Sequence, residues 1–409
     1  MKHRIWWLVG LLVALIGLGA FYNFDMHWYD YGTKSWVNYW SHARAPLLGY
    51  GYYDTEAIIK IQAEAGFTAD NPHDKFNNTH FPLHFPAPLT LFFIPFGLLP
   101  FTPATLTWLG FVALFYTSAA VKFNRTFQHP LNENIAIALS LFIPPFLFTT
   151  WFGNVSGVLG ALVIYAWLAQ RRDQPILTGI LLTPLLIKPQ LVFAALVLLL
   201  LEAWHRRHFR TFAAFGGTLI LLSLLTFLFD PNWLNGWLNK GMPLDTLTFA
   251  LLDVVARGLA LPEWMPLLGF PLGALIIFMR HRQTGQISPA LLGEAVLLSV
   301  LFSPYIWTKD IDVLLPASLW LCSQLWQRPQ ARWWLLLTFL PFSVMLNPRY
   351  WLFKIEGSVV PVAEIGLPIS VTLFLLYLLI FTGLWLWAKR SVTPTEQPSK
   401  LAEDTYAYR

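Results

Sequence analysis

The chain has 409 residues, 56% of them hydrophobic and only 12% charged. Soluble domains carry roughly 25% charged residues, so this composition, with a mean hydropathy of +0.53, excludes an ordinary soluble enzyme and implies an all-α integral membrane protein. The net charge of +5 is dispersed as short basic clusters between apolar runs, which is a topology signal and not the footprint of a nucleic-acid binder.

In chain order, residues 5–22 follow the basic start MKHR and read as an uncleaved first helix, because bulky Phe21 and Tyr22 follow Ala20 where a signal peptide needs small residues. Residues 23–102 then form the longest polar and aromatic stretch. It holds Asp25, Asp30, Asp54, Glu56, Glu64, Asp70 and Asp74, and five of the ten histidines: His27, His42, His73, His80 and His84. It closes in the proline-broken run FPAPLTLFFIPFGLLP. Further apolar runs lie near 103–122, 133–150, 155–170, 175–187, 190–204, 211–228, 265–280, 287–302, 311–325, 332–347 and 367–388. Several are short, but a hydrocarbon core of about 30 Å accommodates them, which gives about 12 transmembrane helices.

Basic clusters between the runs set the orientation. Arg171 and Arg172, Arg206, Arg207 and Arg210, Arg280 and Arg282, Arg328 and Arg332, and Lys389 and Arg390 belong in the cytoplasm, as do both termini. The turns at 152–154, 188–190, 229–233, 303–310 and 347–351 then face outward. The first helix delivers residues 23–102 outside, and Lys122 lies inside, so one crossing separates them. Pro86, Pro88, Pro95 and Pro100 interrupt helical hydrogen bonding, so residues 84–100 are expected to be a re-entrant segment and 103–122 the crossing. Residues 245–260 carry Asp253 and Arg257 four apart, as neighbours on one face of an interfacial helix. Residues 1–390 thus form one polytopic domain with a large first extracytoplasmic loop at 23–102, and residues 391–409 read as a disordered polar cytoplasmic tail. Cys322 is the single cysteine, so no intrachain disulfide can form.

Chemistry has two places to sit: the first loop and the outward turns. Lys188 ends an apolar run and precedes Pro189 and Gln190. Two readings stand: an interfacial anchor whose ammonium snorkels to water, or a cation for a lipid-linked phosphate at the outer leaflet. On the second, Lys188→Gln would weaken donor binding or turnover and leave the protein folded. Asp310 and Asp312 follow Lys309 and open a helix; they either answer the helix dipole or belong to a site. Glu294 lies inside a span and reads as a protonated acid hydrogen-bonded to a neighbouring helix. His73, His80 and His84 sit in a proline-broken loop, which argues against a metal cluster. The loop aromatics, among them Trp36, Tyr39 and Trp40, read chiefly as interfacial packing groups, with stacking on sugars as the alternative.

The ordered set of motifs resembles the bacterial polyprenol-phosphate-mannose-dependent alpha-1,2-mannosyltransferase-like family, within the type C glycosyltransferase fold. The matching residues are Asp30, then SWVNYWSHARAPLLG, then Tyr53 and Asp54; Phe85, Pro86, Pro88, Leu89, Pro95, Leu99 and Pro100; Gly153, Asn154 and Ser156; Lys188, Pro189 and Gln190; and Ser303, Pro304 and Asp310. Asn154 stands where the family has Gln, and Asp30 lies further from the aromatic helix than the family's acid, with Ser35 at the expected place. The resemblance implies an inverting hexosyltransferase that moves a sugar, mannose first among candidates, from a polyprenyl-phosphate donor to a glycan or glycolipid acceptor on the outer face of the plasma membrane. It implies Asp30 as general base, with Asp25 as alternative; Lys188 and Lys309 on the donor phosphate; and Asn154, Gln190, Asp310 and His84 lining the pocket. Membrane lipid is the medium, and neither a cofactor nor a divalent metal is expected. The competing readings are a lipid or sugar transporter, or flippase, which would pair charges near the midplane, and a non-catalytic envelope assembly protein. An enzyme should bring Asp30, Lys188 and Asp310 together in a one-sided cavity.

This topology predicts that single cysteines at Lys75, Asn235 and Arg349, in a Cys322-free background, react with an impermeant thiol reagent from outside, and that one at Arg207 does not. Outside labelling at Lys122 would contradict the assignment of residues 84–100.

Overall fold

A computed structural model describes residues 34–66, 85–142, 153–240, 250–306, 308–328, 331 and 362–390. Among the described residues every regular element is helical. The chain divides into two compact units, Met1–Leu319 and Trp320–Arg409.

In the first unit the aromatic stretch after the first apolar run forms helix α1 (Lys34–Arg44). A 3-10 turn at Pro46–Leu48 ends at Gly49, whose φ of 84° suits a residue without Cβ. Helix α2 (Thr55–Glu64) follows, capped by Asp54, which accepts from Ala57 N at 3.1 Å. Prolines then break the next apolar run as read from the sequence. Ala87–Phe93 is a 3-10 helix and Ile94–Gly97 a single helical turn.

These pieces lock onto α1. Trp40 Nε1 donates to Leu99 O at 3.0 Å, and Arg44 Nη1 donates to Gly97 O at 3.0 Å. Gly97 admits this approach because a Cβ there would lie 3.0 Å from the Ala43 backbone carbon. The loop aromatics are buried against protein: Trp36 stacks on Trp108 with centroids 4.8 Å apart, and Tyr39 on Phe93 at 4.9 Å.

The long apolar runs form α3 (Phe101–Asn124), α4 (Glu133–Phe142), α5 (Ser156–Arg171), α6 (Pro175–Leu182), α7 (Phe193–His205) and α8 (Phe209–Phe229). The helices α3 and α8, with 24 and 21 residues, are long and apolar enough to cross a membrane. At about 1.5 Å per residue each exceeds a hydrocarbon core of about 30 Å. Ile220, Leu221, Leu224 and Leu228 of α8 are exposed, as a lipid-facing surface requires. The segments Pro175–Ile187, Phe193–His205 and Pro289–Leu301 are apolar but shorter. By length and composition, two helices among the described residues can cross a membrane, and the expected total of about 12 belongs to the proposal below.

The sequence places only a turn at 229–233, but helix α9 (Trp233–Lys240) follows it. Its sequence, WLNGWLNK, mixes polar and apolar residues too evenly to announce a helix. Asp230 at the turn accepts from Asn232 N at 2.9 Å and from Tyr52 N at 3.0 Å, which ties the first loop to the end of α8. Helix α10 (Leu251–Gly258) carries the expected Arg257–Asp253 pair at 3.0 Å. The unit continues through α11 (Gly269–Thr284), ended by Gly285 at φ 70°, and α12 (Pro289–Leu301), capped by Ser288 Oγ accepting from Leu291 N at 3.1 Å. A 3-10 segment, Thr308–Leu314, leads into α13 (Leu315–Trp326).

Glu294 corrects the reading of a protonated acid. Its Oε1 lies 3.1 Å from Arg280 Nε on α11, so it is an ion pair between adjacent helices. A buried cluster joins the same region: Glu202 of α7 meets His281 of α11 at 2.7 Å and Arg206 at 2.7 Å.

The second unit contains α14 (Val362–Arg390), of 29 residues. Within it Trp320 packs on Trp385 with centroids 4.3 Å apart, the Arg328 guanidinium lies 4.9 Å from the Trp387 ring centroid, and Cys322 is buried.

One close helix approach in the first unit bears on the site. A Cβ on Gly160 of α5 would lie 2.7 Å from the backbone oxygen of Val313. Gly160→Ala should therefore lower stability by about 1–3 kcal/mol, the usual cost of overpacking. Gly110→Ala, where a Cβ meets nothing within 4 Å, should be neutral or stabilising by up to about 1 kcal/mol. Thermal unfolding in detergent checks both, and equal stability of the two variants would contradict this packing.

Candidate functional site

Lys188 owes its position to two prolines. Helix α6 gives way to a 3-10 segment, Thr183–Ile187, containing Pro184, and a second 3-10 turn, Pro189–Leu191, begins at once. Between them Lys188 is extended, with φ −138° and ψ 70°. This break turns the side chain into the protein. Its Nζ donates to Asp310 Oδ1 at 2.6 Å and to Asn154 Oδ1 at 2.9 Å. The snorkelling-anchor reading is thereby overturned, since the ammonium is held by a buried carboxylate.

Asn154 and Ser156 come from the start of α5. Gly153 precedes them at φ 58°, and a Cβ there would lie 2.3 Å from Trp36 Cβ, so α1 sits directly on this turn. Asn154 Oδ1 accepts from Val155 N at 2.8 Å, while its Nδ2 donates to Asp310 Oδ1 at 2.9 Å. Ser156 Oγ donates to the same oxygen at 2.7 Å. One carboxylate oxygen thus takes three donors, and the start of a helix adds a favourable dipole. Asp310 and Asn154 are fully buried.

Tyr39 faces this cluster from the first loop, on the face of α1 that carries Trp36 one turn earlier. Burial pushes its phenol above the usual range, Lys188 opposes that shift and Asp310 adds to it. For Lys188 burial is the largest influence and pulls its pKa down. Asp310, with Tyr39 and Tyr305, outweighs it and holds the ammonium above its ordinary range. Lys188 is therefore charged throughout the physiological range.

Of the predicted site residues, Lys188, Asp310 and Asn154 meet. Gln190 is buried two residues beyond Lys188 but makes none of the cluster's hydrogen bonds. The backbone of Lys309 lies in the 3-10 segment that carries Asp310; its side chain, and Asp25, Asp30 and His84 entirely, lie outside the described residues. Sequence reasoning gave no site role to Ser156, though it stands in a matched motif, and treated Tyr39 as one packing aromatic among many. The position of Tyr39 three residues after Trp36 was the available signal. Among the described residues no group of three or more His, Cys, Asp and Glu side chains is placed to hold a metal ion.

The sequence model of glycosyltransferase family 87 matches residues 83–348. An alpha-(1->3)-arabinofuranosyltransferase from Mycolicibacterium smegmatis is 26% identical over 239 residues, which cover 55% of this chain and 54% of that protein. The chain thus spans about half the length of the curated relative it matches. No solved structure matches the chain.

The geometry revises the expectation for Lys188→Gln. Removing the ammonium leaves Asp310, with a side chain only 1% exposed, as an uncompensated buried charge. Such losses typically cost about 3–5 kcal/mol. Lys188→Gln should therefore destabilise the protein, and Lys188→Gln combined with Asp310→Asn should recover most of the loss. Melting temperatures of the two single variants and the double variant in detergent give the coupling. Additive losses would mean that the pair does not exist.

Proposed function

The chain belongs to glycosyltransferase family 87, and on that premise we propose that it transfers a sugar from a polyprenyl-phosphate donor to a glycan or glycolipid acceptor at the extracytoplasmic face of the plasma membrane. The observation that carries this reading is the Lys188–Asp310 pair, 2.6 Å apart, buried beneath a helix of the first loop. On the proposed topology it lies beside an outward turn, where a lipid headgroup is expected. The proposed architecture is a multi-pass type C fold of about 12 spans with both termini in the cytoplasm.

The chemistry asks little of the protein. A phosphate departs without needing a proton, so one general base for the acceptor hydroxyl suffices. Fixed donors and a cation beside the departing oxygens stabilise the charge that develops there. Lys188 fills the second role. Asp310 is unsuited to the first: three donors already occupy one oxygen of its buried carboxylate. It orients Lys188 instead. The base is assigned to Asp30, with Asp25 as the alternative, because these are the acids next to the first apolar run. A single displacement inverts the anomeric centre. No step calls for a cofactor or a divalent metal.

Mannose is the sugar implied by the motif resemblance. A pentofuranose is the second reading, favoured by the name of the arabinofuranosyltransferase relative. The purified protein, offered polyprenyl-phosphate mannose and polyprenyl-phosphate arabinofuranose with a glycolipid acceptor, should use one of them. Asp30→Asn should cut turnover by about 100-fold or more at unchanged expression. Loss with Asp25→Asn alone would move the base to Asp25. Full activity in both variants would remove the first loop from the reaction, and turnover of neither donor by wild type would contradict the proposal.

A further inference from the structure

We propose that the pair of turns at the far ends of α5 and α7 from the Lys188 cluster binds the headgroup of an anionic phospholipid, held by Arg172, Arg207 and Arg210. On the proposed topology this is the cytoplasmic leaflet. The site is remote from the transfer chemistry and does not depend on it.

Helices α5 and α7 end here, α6 and α8 begin here, and both turns close in the same way. After α5, Asp173 N donates to Gln170 O at 3.2 Å and Gln174 N to Ala169 O at 3.0 Å. After α7, Arg207 N donates to Trp204 O at 3.0 Å and His208 N to Ala203 O at 2.8 Å. Such a paired closure puts one residue in the left-handed region, where glycine is the usual choice. Here the two residues are Asp173 and Arg207, each at φ 56°. The turns sit side by side. His208 Nε2 lies 3.0 Å from Asp173 Oδ1, and a Cβ on Gly179 of α6 would overlap the Thr211 backbone oxygen of α8.

Charge at this end is one-sided. Glu202 is shared between Arg206 and His281, and Asp173 meets His208. Arg172, Arg207 and Arg210 are exposed, and among the described residues none of the three meets a carboxylate. A cation that served only to orient the chain could stand anywhere in the loop. Arg207 instead occupies a backbone position that glycine would fill without strain.

The surroundings identify the anion as part of a lipid. Trp204, Phe209 and Ile176, beside the arginines, are 62%, 58% and 54% exposed. Trp204 meets Phe209 edge-on, with centroids 5.8 Å apart. Exposed aromatic groups next to cations belong where headgroups meet acyl chains. A guanidinium fork matches phosphate oxygens, and unanswered positive charge rejects the cationic half of a zwitterionic headgroup. An anionic phospholipid satisfies the arginines with its phosphate and the apolar groups with its chains. Free phosphate satisfies only the first.

Phosphatidylglycerol and phosphatidylcholine are titrated separately into the full-length protein in detergent, with bound lipid read by native mass spectrometry and inorganic phosphate as competitor. Wild type should prefer phosphatidylglycerol, and equimolar phosphate should not displace it. Arg207→Gly and Arg210→Gln should each weaken phosphatidylglycerol binding about 5-fold, and Arg172→Gln added to both should bring the loss to about 100-fold. Phosphatidylcholine binding should not change. Lipid-free Arg207→Gly should melt at or above the wild-type temperature, because glycine suits the turn, so its loss of binding is separate from folding. Equal affinity of wild type for the two lipids overturns the inference, as does unchanged phosphatidylglycerol binding in both single variants. Displacement by equimolar phosphate overturns the assignment to a lipid.

Discussion

A carboxylate with no exposed surface must have its charge answered inside the protein, and around Asp310 this requirement organises the first unit. Its partners come from separate stretches: Lys188 from the break between α6 and α7, and Asn154 and Ser156 from the start of α5. Desolvation of two opposite charges is costly, and their attraction offsets that cost only when geometry and additional hydrogen bonds are good. Here two further donors share the Lys188-bound oxygen. Stability alone is poorly served by such a pair, since apolar residues of similar volume often do as well. Its retention beneath a polar loop is better explained by a site in which a cation must be held at a fixed place.

Backbone chemistry makes that placement possible. Proline at 184 and 189 prevents one continuous helix through Lys188 and turns its side chain inward. Gly153 allows α1 to rest on the turn before Asn154, and Gly160 allows α5 to touch the segment that carries Asp310. The first loop is therefore packed into the same unit as the charged cluster through Trp36, Trp40, Arg44 and the Asp230–Tyr52 link. A second buried charged cluster, Glu202 with His281 and Arg206, lies at the other end of α7 from Lys188 and joins α7 to α11. There the Glu202 carboxylate is shared between Arg206 and His281 Nε2.

Much of this was legible in the sequence because the relevant signals are local. Apolar runs marked α3, α5, α7, α8 and α14, and the prolines marked the broken segment at 87–97. Lys188 drew notice as a charge at the end of an apolar run, and Asp310 as an acid opening another. What sequence reading missed depends on contacts between distant positions. Glu294 finds Arg280 across two helices, and no spacing along either helix announces that pair. Helix α9 hides behind a proline turn and an even mixture of polar and apolar residues. The inward aim of Lys188 depends on the φ and ψ left by two prolines, so the sequence alone favoured a site residue but left an anchor open. Tyr39 was one aromatic among many, and only the fold brings its hydroxyl to Lys188.

Placement of the donor phosphate between α1 and the Lys188 turn is the central claim. It is tested most directly by photocrosslinking with a polyprenyl-phosphate sugar that carries a diazirine on the isoprene unit nearest the phosphate, followed by peptide mapping. The account predicts adducts in the peptides spanning residues 34–44 and 183–191, lost when unlabelled polyprenyl phosphate competes. Adducts confined to the far ends of α7 and α11, around Glu202 and His281, or adducts unaffected by competition, would contradict it.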